Sequence, residues 1–312
     1  MMPSKATVTA DIQDRVLSHS KSDREGPLFI ALCGMHGNET YGLAALRKTD
    51  ELLTAAGGIQ RGEWIGLVAN VGAVSAGVRY IDEDMNRIWF PSILDKIRRC
   101  PAEELHSHER RELKELLGLL DRCAASGREL ILVDLHSFSA PGGLFVITPR
   151  SAPHRKTLET LTVPLIFGID DALQGTALRY FHDQGHCSMA FEGGSHHEPG
   201  TMLNMVSYLM LMLERFGMIE EDALSDFGSF REQICRSANH LPNRVELAYQ
   251  HLIEPGDEFV MRPGFQNFDR IQKGDWLADD RTGAILAPCG GFILMPLYQS
   301  QGSDGFFIVQ EC

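Results

Sequence analysis

Residues 28–42 read LFIALCGMHGNETYG. The apolar run Leu28–Cys33 shows no polar alternation, which predicts a strand buried on both faces, as in the interior of a parallel sheet. Glycines at 34 and 37 then let the chain turn, and Thr40 to Ala56 has a helical period. Between strand and helix stand His36 and Glu39. An imidazole and a carboxylate three residues apart in a tight turn can aim at one point, and both are ligand types of a catalytic zinc. On this stretch alone a second reading stays open, in which Asn38 or Thr40 caps the helix and His36 is incidental.

Outward from this stretch, short apolar runs trade places with longer amphipathic ones. Strands are predicted at Trp64–Asn70, Leu130–Leu135, Gly143–Thr148, Val163–Phe167 and Ser188–Glu192. Helices are predicted at Glu103–Cys123, His154–Leu161, Thr176–Gln184 and Thr201–Phe216. The alternation implies an α/β fold: a mixed, mostly parallel sheet flanked by helices. In such sheets, ligands gather at the carboxyl ends of the strands. After Gly217 the chain turns acidic, and from Glu246 strand-like pieces alternate with Gly, Pro and Asp turns. The expected organisation is a catalytic α/β domain over 1–222 and a smaller all-β domain over 223–312.

The net charge of −13 argues against a nucleic-acid or anionic-membrane partner, because both favour a basic face. No apolar stretch is long enough to span a bilayer, and MMPSKATVTADIQDRV lacks the apolar core of a signal peptide, so a cytoplasmic protein is expected. Seven scattered cysteines with no CxxC pair fit reduced thiols; Cys33 and Cys187 read as small core residues. Phosphate-binding, dinucleotide-binding, GxSxG and HExxH motifs are missing. The apolar LMLMLERFGM helix and the β segment both offer interfaces compatible with a homo-oligomer.

Three further stretches end predicted strands or follow them with reactive side chains. In LILVDLHSFS (130–139), Asp134 and His136 share one face because strand side chains alternate. His136 would be a third ligand, and Asp134 would orient an imidazole from behind; a polar strand end at the sheet rim is the other reading. GVRYIDEDMNRIWF (77–90) carries Arg79, Asn86 and Arg87, suited to an anionic carbonyl compound unless the arginines merely pair with Asp82, Glu83 or Asp84. In CSMAFEGGSHHEPGT (187–201), Glu192 ends a strand where a general base would sit. His196 and His197 follow on a loop, where adjacent side chains point apart.

Taken together and in order, GMHGNETYG, RYIDEDMNR, DLHSFS and FEGG resemble the succinylglutamate desuccinylase and aspartoacylase family, a zinc carboxypeptidase-like branch acting on N-acyl amino acids. The resemblance covers roughly Leu28 to Thr201. It implies one Zn²⁺ held by His36, Glu39 and His136, Glu192 as the catalytic carboxylate, and Arg79 polarising the acyl carbonyl. It also implies that Asn86 and Arg87 anchor the substrate's α-carboxylate, and that a C-terminal β domain covers the site. The expected activity is removal of an acyl group from a small anionic N-acyl amino acid or related amide. A metallocarboxypeptidase acting on short peptides, an esterase using the same site, and a non-enzymatic scaffold are the alternatives.

One departure bears on substrate. Ten residues before the catalytic glutamate, where aspartoacylase has an arginine that grips the substrate's side-chain carboxylate, this chain has His182. Arg179 and His182 are therefore the candidate selectors, with Tyr298 a candidate for the family's C-terminal tyrosine.

Overall fold

The computed structural model describes residues 15–125 and 127–312, so the segment read for a signal sequence lies almost wholly outside the described residues. The strands are β1 (Val16–Lys21), β2 (Leu28–Cys33), β3 (Glu63–Val68), β4 (Leu130–Phe138), β5 (Phe145–Ile147), β6 (Leu165–Phe167) and β7 (Cys187–Ser195). They continue with β8 (Arg244–Leu252), β9 (Val260–Met261), β10 (Arg270–Ile271), β11 (Trp276–Asp280), β12 (Gly283–Leu286), β13 (Gly291–Leu294) and β14 (Asp304–Glu311). The helices are α1 (Tyr41–Ala55), α2 (Val71–Ala76), α3 (Pro91–Arg99), α4 (His108–Ala124), α5 (Arg155–Leu158), α6 (Ile169–Ala172), α7 (Ala177–Asp183), α8 (Gly200–Arg215) and α9 (Gly228–Ala238).

An 11-stranded mixed sheet runs in the order β1-β3-β2-β4-β7-β5-β6-β8-β14-β13-β10, and β12-β11-β9 form a small antiparallel sheet beside it. Its central strands β3, β2, β4 and β7 are parallel neighbours. Strands β2, β4 and β7 are buried along their whole length, which is why their sequences read as continuous apolar runs. Strand alternation splits those runs between two cores. Phe29, Ala31, Cys33, Val133, Leu135, Met189 and Phe191 pack under α1 and α8, while Leu28, Ile30, Leu32, Leu130 and Leu132 pack against α3, α4 and α7.

Three expectations change. The apolar helix offered as an interface, α8, is covered within the chain: α9 packs on it, with Phe227 and Ile234 in the same core. A helix apolar all round needs burial on two sides, and sheet and α9 supply them. The composition change after Gly217 also does not end the main sheet. Strand β8 pairs in parallel with β6, and β14, β13 and β10 follow, so only β9, β11 and β12 stand apart. The helix expected over His154–Leu161 is shorter, reduced to α5 and a 3₁₀ turn, with His154 in the left-handed region at φ 59°. Among the described residues, no helix is long and apolar enough to cross a membrane.

Candidate active site

The carboxyl ends of β2, β4 and β7 open into a cavity lined by His36 and Glu39, by Asp134 and His136, and by Ala190 and Glu192. Beyond β2, Gly34 takes φ 62°, and a Cβ at Gly37 would lie 2.0 Å from the Ala73 carbonyl carbon, so the turn needs both glycines. The Glu39 N–H donates to His36 O (3.1 Å), closing the turn and bringing His36 Nδ1 to 2.7 Å from Glu39 Oε1. Thr40 makes no side-chain cap bond, and Asn38 Nδ2 donates instead to Gln299 Oε1 (3.1 Å). Neither side chain caps the helix.

From β4, His136 Nδ1 lies 3.2 Å from Glu39 Oε2, which also accepts from the Ser137 N–H at 2.9 Å. One ligand atom from each of His36, Glu39 and His136 lies within 4.8 Å of the others, all three residues buried. Carboxylates back both rings. Asp84 Oδ1 is 3.2 Å from His36 Nε2, and Asp134 Oδ2 is 2.8 Å from His136 Nε2, although that second contact lacks hydrogen-bond alignment. An imidazole with one nitrogen aimed inward and a carboxylate behind the other is the usual support of a histidine metal ligand.

The charge balance points the same way. Glu39, Asp84, Asp134 and Glu192 surround two imidazoles and the Arg79 guanidinium. Burial pushes Glu39 up, yet the His36 and His136 rings hold it well below the ordinary carboxylate range. Burial likewise pushes His136 down, and Asp134 and Glu39 hold it well above its ordinary value. Two nitrogens and a carboxylate in a buried, net-negative pocket fit a divalent cation with an open coordination position.

Glu192 is the register partner of His136 on β7. Its Oε2 is buried without a partner, and burial, with Glu39 adding to it against the opposing pull of His136, pushes its carboxyl up to about 7. A desolvated carboxylate of that kind is suited to taking and returning a proton near neutral pH.

The 79–87 loop supplies the remaining groups. Arg79 lies 3.6 Å from Glu39 Oε1 and donates to Asp84 Oδ2 (3.3 Å). Asn86 Oδ1 accepts from the Ala177 N–H (3.1 Å), leaving its NH₂ as the donor a carboxylate would need. Arg87 donates to Asp304 Oδ2 (2.7 Å), whose other oxygen accepts from Gln250 Nε2 (2.7 Å).

The loop is shaped from beneath by Glu109 of α4, fully buried. Its carboxylate accepts from the backbone N–H groups of Ile81 (2.7 Å), Asp82 (3.0 Å) and Glu83 (3.2 Å), and from Asn70 Nδ2 (3.2 Å). Glu109→Ala would strand those donors, and we expect it to cost about 3 kcal/mol of stability. Denaturant unfolding measures this, and Glu109→Gln should restore only part of the loss; a midpoint unchanged by Glu109→Ala would refute the role.

The model of the succinylglutamate desuccinylase/aspartoacylase catalytic domain matches residues 25–200, more than half of the chain. The chain belongs to that family. A succinylglutamate desuccinylase of Shewanella sp. (strain MR-7) is 26% identical over 280 residues, 84% of this chain and 76% of its own length. A human N-acyl-aromatic-L-amino acid amidohydrolase (carboxylate-forming) is 34% identical over 121 residues, 38% of this chain and 35% of its own. The crystal structure of a Rhodobacter sphaeroides succinylglutamate desuccinylase/aspartoacylase superposes with TM-score 0.65 at 14% identity, covering 94% of this chain and 87% of that one, a likeness of fold. As a member of the desuccinylase/aspartoacylase family, the chain is a hydrolase of the deacylase type.

Of the residues singled out by sequence, His36, Glu39, His136, Asp134, Glu192, Arg79, Asn86 and Arg87 all line the one cavity. Arg179 and His182 do not. Arg179 turns outward on α7 to pair with Asp171 and Asp183 (2.8 Å to the latter), and His182 Nε2 meets Ser151 Oγ at 3.1 Å. Tyr298 is also committed elsewhere: its hydroxyl donates to Arg262 O (2.8 Å) and accepts from the Phe265 N–H (3.0 Å). His196 Nδ1 sits 2.8 Å from the Oγ of Ser137, which lines the cavity, and His196 itself is not part of that lining. Sequence reading missed the positions of Asp84, Asp304 and Glu109. In sequence Asp84 reads only as an arginine partner, and Asp304 is 217 residues from Arg87.

Proposed function

We propose that the protein is a zinc-dependent deacylase that hydrolyses the amide of a small N-acyl amino acid with a free α-carboxylate. The observation that carries this reading is the convergence of the His36, Glu39 and His136 ligand atoms in the cavity that also holds Glu192, Arg79, Asn86 and Arg87. Zinc held by His36, Glu39 and His136 would supply the Lewis acid that makes water a competent nucleophile and polarises the acyl carbonyl.

The side chains then have separate tasks. Glu192 accepts a proton as the water oxygen bonds to the acyl carbon, and delivers that proton to the nitrogen as the C–N bond breaks. Arg79 faces the oxygen on which negative charge develops. Asn86 and Arg87 hold the carboxylate, fixing the amide against Glu192. Asp84 and Asp134 keep the two imidazoles turned to the metal.

The direct test is amine release from N-acetyl, N-formyl and N-succinyl amino acids, with dipeptides as the rival class, before and after chelation. Chelator-sensitive release from an N-acyl amino acid supports the proposal; cleavage of dipeptides alone would favour a carboxypeptidase.

Asp304 has a measurable part in this scheme. Asp304→Asn weakens the grip that holds Arg87, so KM should rise about tenfold with kcat nearly unchanged, the worth of one charge-assisted hydrogen bond. Steady-state kinetics check this, and an unaltered KM would show that Arg87 holds its place without β14.

A further inference from the structure

Beside the polar groups, the cavity has a largely apolar stretch of wall. This stretch is lined by Ile147, Leu173, Leu178, Ala190, Met295 and Phe307, the inner surface of the cluster joining β5, β7 and α7 to β13 and β14. Among the described lining residues, the guanidinium groups are Arg79 and Arg87, and no lysine contributes. Resting on the deacylase reading, we propose that the substrate carries a single carboxylate, and that its amino-acid part bears an aliphatic or aromatic side chain seated on this wall.

Position decides which end of the substrate meets the wall. The two residues assigned to the α-carboxylate are each held by an element that also contributes a residue to the wall. The Ala177 N–H donates to Asn86 Oδ1, and Leu178 follows it; Asp304 receives Arg87, and Phe307 lies three residues on along β14. Ala190 is two residues before Glu192 on the same face of β7, and Ile147 is its register partner. The wall therefore runs from the carboxylate anchor towards the catalytic carboxylate, where the side chain on the Cα of a bound N-acyl amino acid would lie.

A second carboxylate would meet the opposite of what it needs. Arg79 and Arg87 already have assigned partners, and Arg179 is directed outward to Asp171 and Asp183. The cavity also carries Asp170, which is 5% exposed, accepts from the Gly168 N–H at 3.1 Å and lies 3.9 Å from Arg179. A buried second anion would lack a partner and face a like charge, whereas an aliphatic or aromatic group would be drawn out of water by the wall.

The test compares kcat/KM of zinc-loaded protein for N-acetyl-leucine, N-acetyl-phenylalanine, N-acetyl-aspartate, N-succinylglutamate and N-acetyl-lysine, and the affinity of each for Glu192→Gln protein by calorimetry. The apolar members should lead N-acetyl-aspartate by about 100-fold in kcat/KM and bind more tightly to the inactive variant. Leu173→Arg, at a half-buried wall position, should narrow that ratio, with the melting temperature of the variant read alongside to separate this from loss of fold. Preference for an acidic or a cationic side chain overturns the inference and leaves the deacylase reading standing. Turnover of none of the five overturns the deacylase reading for these compounds, and the calorimetric order then decides the inference by itself: tighter binding of the apolar members upholds it, and equal or reversed affinities overturn it.

Discussion

Replacing Glu192 by glutamine should lower kcat/KM by about 10³-fold while leaving zinc content and KM near their original values. The amide keeps the shape of the carboxylate but cannot carry the proton from water to the departing amine. Steady-state kinetics with metal analysis of the same sample decide it, and a variant with near wild-type turnover would remove Glu192 from the reaction. The same substitution has a second signature in zinc-free protein. Burial lifts the Glu192 carboxyl from an ordinary 4.5 to about 7, so between those values the native state keeps a proton that the unfolded chain has released. Stability attributable to this group is therefore fully present below pH 4.5 and declines as pH rises through 7, by on the order of 3 kcal/mol. Glutamine does not titrate. Chelated Glu192→Gln should match the chelated parent at pH 4.5 and exceed it at pH 8, and urea unfolding at the two pH values reads the difference.

The second large effect belongs to the ligands. Losing a carboxylate behind a metal-bound imidazole typically costs 10- to 100-fold in affinity, so losing a ligand itself should cost at least about 10³-fold. His136→Ala should therefore lose zinc and activity together, with Asp84→Asn and Asp134→Asn intermediate. Competition with a chromophoric chelator gives the order. Zinc affinity unchanged in His136→Ala would break the proposed triad, and equal losses in all three variants would deny the distinction between ligand and support.

The site was legible in sequence where its parts are local. His36 and Glu39 lie in one turn, and Asp134 and His136 share a strand face, so period and turn chemistry bring each pair together before any tertiary contact is known. The strand ends carrying them were legible because a parallel sheet interior leaves unbroken apolar runs. What depends on distant packing was not. The face of a seven-residue helix is poorly fixed by pattern, so Arg179 was a plausible selector until α7 was seen to turn it outward. Asp304 reaches Arg87 only because β14 joins the main sheet through β8, a pairing set by register rather than by a local signal. The edge strand β1, VLSHSK, is half open to solvent and has no apolar run to mark it in the sequence.

The proposed hydrolysis depends on a metal at the His36, Glu39 and His136 cluster. The most direct measurement is titration of stripped protein with zinc while amine release from an N-acyl amino acid is followed. Activity should rise in proportion to added zinc and level off at about one equivalent per chain. Full activity in the stripped protein, or release that ignores the zinc added, would contradict it.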